Sequence, residues 1–388
     1  MNRNIFIGGA WPYANNSLHV GHLAALLPAD VIARYYRLNG DNVIYVSGTD
    51  SHGTPITVRA RKENVSPDSI AEKYHSEFVK NFNDLDFSYD LYTTTMTDYH
   101  AEHVKAYLKR MYDNGFIYEK EEEQDFCPSC NTFLSDREII GVCPHCHGVA
   151  KGDQCDSCLA TLSASEVLDK KCANCGSTTI LKPNKHLYFA LSKFQDKIKK
   201  LTDDHANIWR YNAVNETYKF LDMGLIDRAV TRQLEWGIDV PFEHFEDKKI
   251  YVWIEAVLGY LTAGNKVADD RGIDFEKFMQ KGNVTSYYVH GKDNIPFHTV
   301  IYPSLLMAID ENIDLPDHII SCEYVNMNNE KMSKSKGNLI SINELTSMFD
   351  KDSIRYFMLA NGPENKDTNF SMQDFITNHN KFLVGTLG

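Results

Sequence analysis

Eight of the chain's nine cysteines form four Cys-x-x-Cys pairs, Cys127/Cys130, Cys143/Cys146, Cys155/Cys158 and Cys172/Cys175, and this cluster restricts the fold more than any other feature. A Cys-x-x-Cys turn sets two thiolates on one side of a tight knuckle, and two knuckles complete a closed tetrahedral zinc site. Eight thiolates therefore predict two zinc ions. A closed site leaves no position for a substrate, so both ions are expected to be structural. Gly148, Gly152 and Gly176 suit the turns, and His145 and His147 are alternative ligands. Two pairings compete. In the nested one, Cys143/Cys146 joins Cys155/Cys158 inside, and Cys127/Cys130 joins Cys172/Cys175 at the base. In the sequential one, Cys127/Cys130 joins Cys143/Cys146 and Cys155/Cys158 joins Cys172/Cys175. Nesting is expected, because two hairpin-like arms stack without threading and a short inner loop costs little closure entropy.

Paired cysteines become disulfides in oxidising compartments. Met1 to Gly9 holds a polar start and a strand-like Ile5-Phe6-Ile7 rather than a secretory h-region, and no apolar run is long enough to span a bilayer. The expectation is a cytoplasmic protein with no membrane partner, whose cysteine pairs ligate metal. Cys322 stands alone in the strand-like HIISCEYV and reads as a core residue. At 388 residues the chain predicts two or more domains. Its net charge of -13 counts against nucleic-acid binding by the whole surface. Lys193 to Lys200 and Lys331 to Lys336 are the candidate basic strips, the first reading better as a solvated helix face.

Asn4 to Ala10 reads as a buried strand, Leu18 to Leu38 as a helix capped by Asn16 or Ser17 and kinked at Pro28, and Asn42 to Val46 as the next strand. This unit opens a parallel α/β domain with helices on both faces. Helices are expected at 66–83, 97–115, 192–201 and 213–224. The segment from Phe116 to Lys182 shows little periodicity and reads as an insertion held by metal. Beyond it come a strand Lys249 to Ile254, a helix Glu255 to Ala263, a strand Val284 to His290, a helix Pro296 to Ile309 and a strand Ile319 to Val325. Helices at 342–349, 352–360 and 371–384 close the chain.

Two distant segments carry phosphate-binding chemistry. His19 and His22, at i and i+3 in a first helical turn, share one face. A helix N-terminus already favours anions, and two imidazole donors there can grip the α- and β-phosphates of ATP. Gly21 between them lets a flat adenine lie on the backbone. Lys331-Met332-Ser333-Lys334-Ser335 begins 309 residues after His22. Lys331 and Lys334 supply two point charges for a pyrophosphate leaving group.

In this order, His19-Val20-Gly21-His22 and Lys331-Met332-Ser333-Lys334-Ser335 resemble the HIGH and KMSKS signatures of class I aminoacyl-tRNA synthetases. Further segments look like the methionyl-tRNA synthetases: Ala10-Trp11-Pro12-Tyr13-Ala14-Asn15, Gly48 to Pro55 (GTDSHGTP), Tyr251 to Ala256 (YVWIEA) and Gly291 to His298 (GKDNIPFH). They run nearly the whole length, in the family's order. The resemblance implies that Asp50 and the backbone at Trp11 hold the ammonium of methionine. Tyr13, Trp253, Ala256, Tyr260, Phe297 and His298 would form the thioether pocket, where soft sulfur favours aromatic edges. It also implies that Gly21, Lys292, Asp293 and Lys334 bind ATP, with Asp293 accepting from ribose hydroxyls, and that the insertion is held by one or two knuckle pairs. The chain departs from the family at Glu255-Ala256-Val257, where Asp-Ala-Pro is common, and at Trp11, where many members have Leu.

The expected architecture is a Rossmann-like α/β nucleotide-binding domain with an inserted zinc-knuckle connective domain and a C-terminal helical segment. Residues 1–115 and 226–325 would be the two halves of the catalytic domain, 116–225 the insertion with its knuckles at 127–175, and 326–388 the KMSKS loop and a helical stem-contact segment. The expected activity is condensation of L-methionine with ATP and Mg²⁺ to methionyl-adenylate, then transfer to tRNA(Met), with His19, His22, Lys331 and Lys334 stabilising charge. No DNA partner is expected. Synthetases of this type usually continue into an anticodon-binding domain, and none is found before Gly388, so tRNA charging is expected to be weak. The alternatives are another class I activator and an inert zinc-ribbon RNA-binding relative.

Overall fold

A computed structural model of the chain describes residues 2–135, 138–152, 155, 157–158, 162, 164–332 and 338–387, with the side chains of Lys331 and Leu387 excepted. Its central sheet has five parallel strands in the order His318–Cys322, Val284–Gly291, Asn4–Gly9, Asn42–Thr49, Leu91–Thr94. The pleat divides Asn4–Gly9 between two cores. Ile5 and Ile7 pack with Ala29 and Ala33 of the helix Val20–Leu38, while Phe6 joins Leu258, Leu261 and Val267 of the helix Val252–Arg271. Both faces are covered, as a parallel sheet requires.

The helix Val20–Leu38 continues through Pro28, and its N-cap is His19 rather than Asn16 or Ser17. The stretch expected as a strand from Lys249 to Ile254 is a strand only at Lys249–Ile250. From Val252 it is helix, running to Arg271 and buried on nearly every side. An apolar run buried all round shows neither the period of a helix nor that of a strand. The expected strand Ile319 to Val325 is two elements: His318–Cys322 belongs to the central sheet, while Val325–Met327 pairs with Thr368–Phe370 and Glu330–Lys331. A helix Thr54–Glu63 and the edge strand Leu91–Thr94 went unread.

The cysteine-rich segment is framed by a ribbon of two long strands, the middle pair of a four-stranded antiparallel sheet. Ile117–Cys127 runs antiparallel to Ile180–Phe189, from Ile117 opposite Phe189 to Phe126 opposite Ile180. Its middle, Tyr118 to Glu123, is exposed on both faces. With no buried face it has no reason to alternate, which is why the segment lacked periodicity. At its far end the thiols gather into two groups, Cys127, Cys130, Cys172, Cys175 and Cys143, Cys146, Cys155, Cys158. This is the nested pairing. His145 and His147 belong to neither group.

Candidate active site

The strand order reverses between Asn4–Gly9 and Val284–Gly291, and ligands of open α/β sheets bind at the carboxyl ends of strands at such a switch point. A cleft of about 350 Å³ lies there, lined by Trp11, His19, Gly21, His22, Asp293 and Met332 among others. His19, Gly21 and His22 of the first motif and Met332 of the second line it together. His19 forms an isolated bridge with Ser341, and the Val20 N–H donates to the Ile340 carbonyl, 3.3 Å away. Met332 comes so near that a Cβ added to Gly21 would stand 2.9 Å from its methyl carbon and 2.9 Å from the His19 ring. A side chain at this position would have to displace the Met332 methyl group and the His19 ring. Lys334 lies outside the described residues.

His19 and His22 cap their own helix. The Gly21 N–H donates to His19 Nδ1 at 3.1 Å, and the His19 N–H donates to His22 Nδ1 at 3.2 Å. Burial pushes His19 down to about 4; burial, then the neighbouring His19, pushes His22 down to about 3. Both rings are therefore neutral at physiological pH. With each Nδ1 accepting, the proton sits on Nε2, which leaves each Nε2–H free to donate to an anion. The sign follows for stability. The unfolded chain protonates these rings near 6.5, so their contribution is complete above that pH and is lost as the pH falls toward about 4 for His19 and about 3 for His22. At saturating substrates, turnover should show no histidine inflection between about pH 6 and 8. A pH–rate profile with an inflection near 6.5 that vanishes in His22→Ala would show that a charged ring is used.

Asp293 lines the cleft and accepts from the Tyr324 hydroxyl. Lys292 is held elsewhere, by Glu323 at 2.6 Å and Asp367 at 2.9 Å, with its ammonium 3.8 Å from the centre of the Tyr324 ring. It ties the Gly291–Asp293 turn to the segments that enter the strands Val325–Met327 and Thr368–Phe370.

The residues assigned to methionine lie together beyond Trp11. The Trp11 indole occupies a slot opened by two glycines: a Cβ on Gly48 would stand 2.4 Å from it, and one on Gly259 2.6 Å. Trp253, partly exposed, stacks on Phe297 with ring centres 4.5 Å apart. The Tyr13 hydroxyl donates to the His52 carbonyl at 2.7 Å. His298 Nδ1–H donates to the Asn294 carbonyl at 2.8 Å, so its Nε2 accepts from the Tyr260 hydroxyl, also at 2.8 Å. Burial holds His298 at about 4, hence neutral. Ala256 is buried one residue after Glu255. Asp50 is buried, and burial followed by the nearby Glu255 charge raises its carboxyl well above the usual range. His52, Trp236 and Met332 complete the surroundings and were missed. His52 sat within a matched segment but had no partner in view, and nothing local marks Trp236.

The thiol groups fit zinc. Four thiolates about 2.3 Å from a tetrahedral ion stand about 3.8 Å from one another. Here the Sγ atoms of Cys143 and Cys158 are 3.9 Å apart, those of Cys146 and Cys155 3.5 Å, those of Cys130 and Cys172 3.9 Å, and those of Cys127 and Cys175 3.4 Å. Knuckle N–H groups of Cys130 and Cys158 point at the sulfurs of Cys127 and Cys155. Among the described residues, no helix is long and apolar enough to cross a membrane.

The chain matches, over residues 5–388, the family described as tRNA synthetases class I (M). It is 50% identical over 385 residues to the methionine–tRNA ligase 1 of Alkaliphilus oremlandii, covering 99% of this chain and 71% of the relative. It is 49% identical over 387 residues to a methionine–tRNA ligase of Bacillus cereus, with the same coverage of 99% and 71%. The methionyl-tRNA synthetase of Mycobacterium tuberculosis, solved in complex with methionyl-adenylate, aligns with a TM-score of 0.77 at 26% identity, over 100% of this chain and 70% of that one. Likeness along the whole chain, in sequence and in fold, places it in the family: the chain belongs to the class I methionyl-tRNA synthetases.

Proposed function

We propose that the chain activates L-methionine with ATP and passes the methionyl group to the 3′ end of tRNA(Met). The observation that supports this reading is the approach of Met332 to Gly21 at the switch-point cleft, which sets one described residue of the second motif beside the first. In the first step a methionine carboxylate oxygen attacks the α-phosphorus of ATP in line. The new bond joins that oxygen to phosphorus, and the bond to the β-phosphate oxygen breaks, releasing pyrophosphate. Catalysis is then positioning and charge stabilisation. The Nε2–H donors of His19 and His22 face the phosphates, Lys331 and Lys334 take up charge on the leaving group, and Mg²⁺ enters with the nucleotide.

The amino-acid side supports a thioether. Both pocket hydroxyls spend their protons on protein, Tyr13 on His52 and Tyr260 on His298, so neither is left to seek a polar side chain. The walls are aromatic edges and faces, which suit sulfur. Two zinc ions would sit in the thiol groups and supply cross-links that hold the knuckles together. Charging is expected to be the weaker half-reaction in this 388-residue chain. Affinity for tRNA rests largely on phosphate neutralisation, the net charge is -13, and Lys199 and Lys200 are paired with Asp203 and Asp204.

Methionine-dependent exchange of pyrophosphate into ATP tests the reading. Exchange is expected with methionine. Homocysteine should compete weakly, since one methyl group in an apolar pocket yields only about 1–3 kcal/mol of discrimination. Exchange with cysteine or leucine but not methionine would overturn the substrate, and no exchange with any amino acid would favour the inert relative.

A further inference from the structure

Two buried acceptors beside the amino-acid pocket have no donor. Asp50 Oδ1 and Glu255 Oε2 make no hydrogen bond, and their residues are 3% and 0% exposed. Among the described residues, no lysine or arginine pairs with either carboxylate. Buried charges without a counter-ion are costly, and such acceptors in a folded protein call for an explanation. Asp50 is tied to the turn that carries Trp11: its N–H donates to the Pro12 carbonyl at 2.9 Å, and its carbonyl accepts from the Ala14 N–H at 2.8 Å. Glu255 stands in the first turn of Val252–Arg271, two residues after Trp253.

Glu255 is held with care. Its other oxygen, Oε1, lies 2.6 Å from His52 Nδ1. His52 is fixed in turn by the Tyr13 hydroxyl on its carbonyl, at 2.7 Å, and by the edge of Trp236, with ring centres 5.2 Å apart. Trp236 Nε1–H donates to the Ser51 carbonyl at 2.7 Å. Residues near Asp50 or Glu255, in space or in the chain, line clefts, Trp11 and Pro12 one, and Gly53, Val252 and Trp253 another. What two free carboxylate oxygens lack is a compact cation with several donors, and a primary ammonium has three.

We propose that Glu255 is a second carboxylate of the amino-acid site: its Oε2 accepts one N–H of the substrate's α-ammonium while Asp50 accepts another, with His52 holding Glu255 in place. The proposal rests on the functional reading above. It gives the site's preference for an α-amino acid two anchors on different elements, one on the strand-end loop and one on the helix that carries Trp253 and Ala256. The burial that raises both carboxyls favours a bound cation over two unpaired charges.

The test compares methionine with its des-amino analogue, methylthiobutanoic acid, which keeps the thioether and the carboxylate. The variant Glu255→Gln removes the charge and keeps an amide oxygen that accepts from His52. Methionine KM in pyrophosphate exchange, and methionine Kd by calorimetry, should rise about 10- to 100-fold in it, as loss of a charged hydrogen bond implies. Turnover should stay within about threefold of wild type, and inhibition by the des-amino analogue should not change. Glu255→Asp keeps the charge and should fall between Glu255→Gln and wild type. Equal weakening of both compounds would mean a merely structural role, and unchanged methionine affinity would also overturn the proposal. If Glu255→Gln does not fold, the same comparison is made on Glu255→Asp, where methionine must still lose more affinity than the analogue. Wild-type exchange with methionine, alongside an unaltered preference in the variants, would reject this inference and leave the functional reading standing. No exchange by the wild type would reject that reading itself.

Discussion

Replacing His22 with alanine is expected to lower the turnover of methionine-dependent pyrophosphate exchange by a factor on the order of 10²–10³, with a much smaller change in methionine affinity. The neutral His22 ring presents an Nε2–H donor fixed by its own helix cap, so the donor needs no reorganisation when charge shifts onto the phosphates. The same substitution removes half of the capping box, which costs about 0.5–2 kcal/mol of stability and should appear as a lower Tm. His22→Asn separates the two effects. Its shorter side chain still offers the His19 N–H an acceptor, so the Tm should recover, while its donor no longer reaches the phosphates and turnover should stay low. Lys334→Ala is expected to match His22→Ala in turnover, on the strength of its motif. Collapse of methionine affinity with turnover intact would move these residues to the amino-acid site and defeat the assignment.

Removing metal should have the second large effect. Elemental analysis of the purified protein should find two zinc ions per chain. Structural zinc contributes about 10–16 kcal/mol in small zinc-finger peptides, and the cores among the knuckles are small, with Cys143, Ala150, Cys155, Leu162 and Val167 in one and Cys127, Leu134, Ile139 and Cys172 in the other. A strong chelator should therefore abolish amide-exchange protection between Cys127 and Cys175, while the Asn4–Gly9 and Val284–Gly291 strands stay protected. Cys143→Ser should empty the inner group alone and Cys127→Ser the outer, each leaving one zinc. Full protection of the knuckles in zinc-free protein would sink the structural role, and loss of both ions from either single variant would sink the independence of the two sites.

Local chemistry was the legible part of this chain. The thiol groups follow from spacing and closure entropy, and the structure nests them as expected. The central strands and the helix after His19 were visible because their apolar patterns are strong. Failures came where pattern and environment part company. In the ribbon Ile117–Cys127 with Ile180–Phe189, the stretch Tyr118 to Glu123 is exposed on both faces and so gave no alternation. The helix Val252–Arg271 is buried on nearly every side from Ile254 to Gly264, and its first turn passed for a strand.

The residues by themselves determined which chemistry the chain carries: eight paired thiols, imidazoles one turn apart at a helix start, a lysine-rich loop and an aromatic set in a family's order. Tertiary structure alone decided who meets whom. It set Met332 against Gly21, slid Trp11 between Gly48 and Gly259, turned Lys292 toward Glu323 and Asp367, and joined His52 to Glu255 across 203 residues. Spacing of a few residues is read directly from the periods of helices, strands and turns. Contacts across hundreds of residues depend on strand order and helix placement, which reflect the packing of the whole core and leave no local period to read.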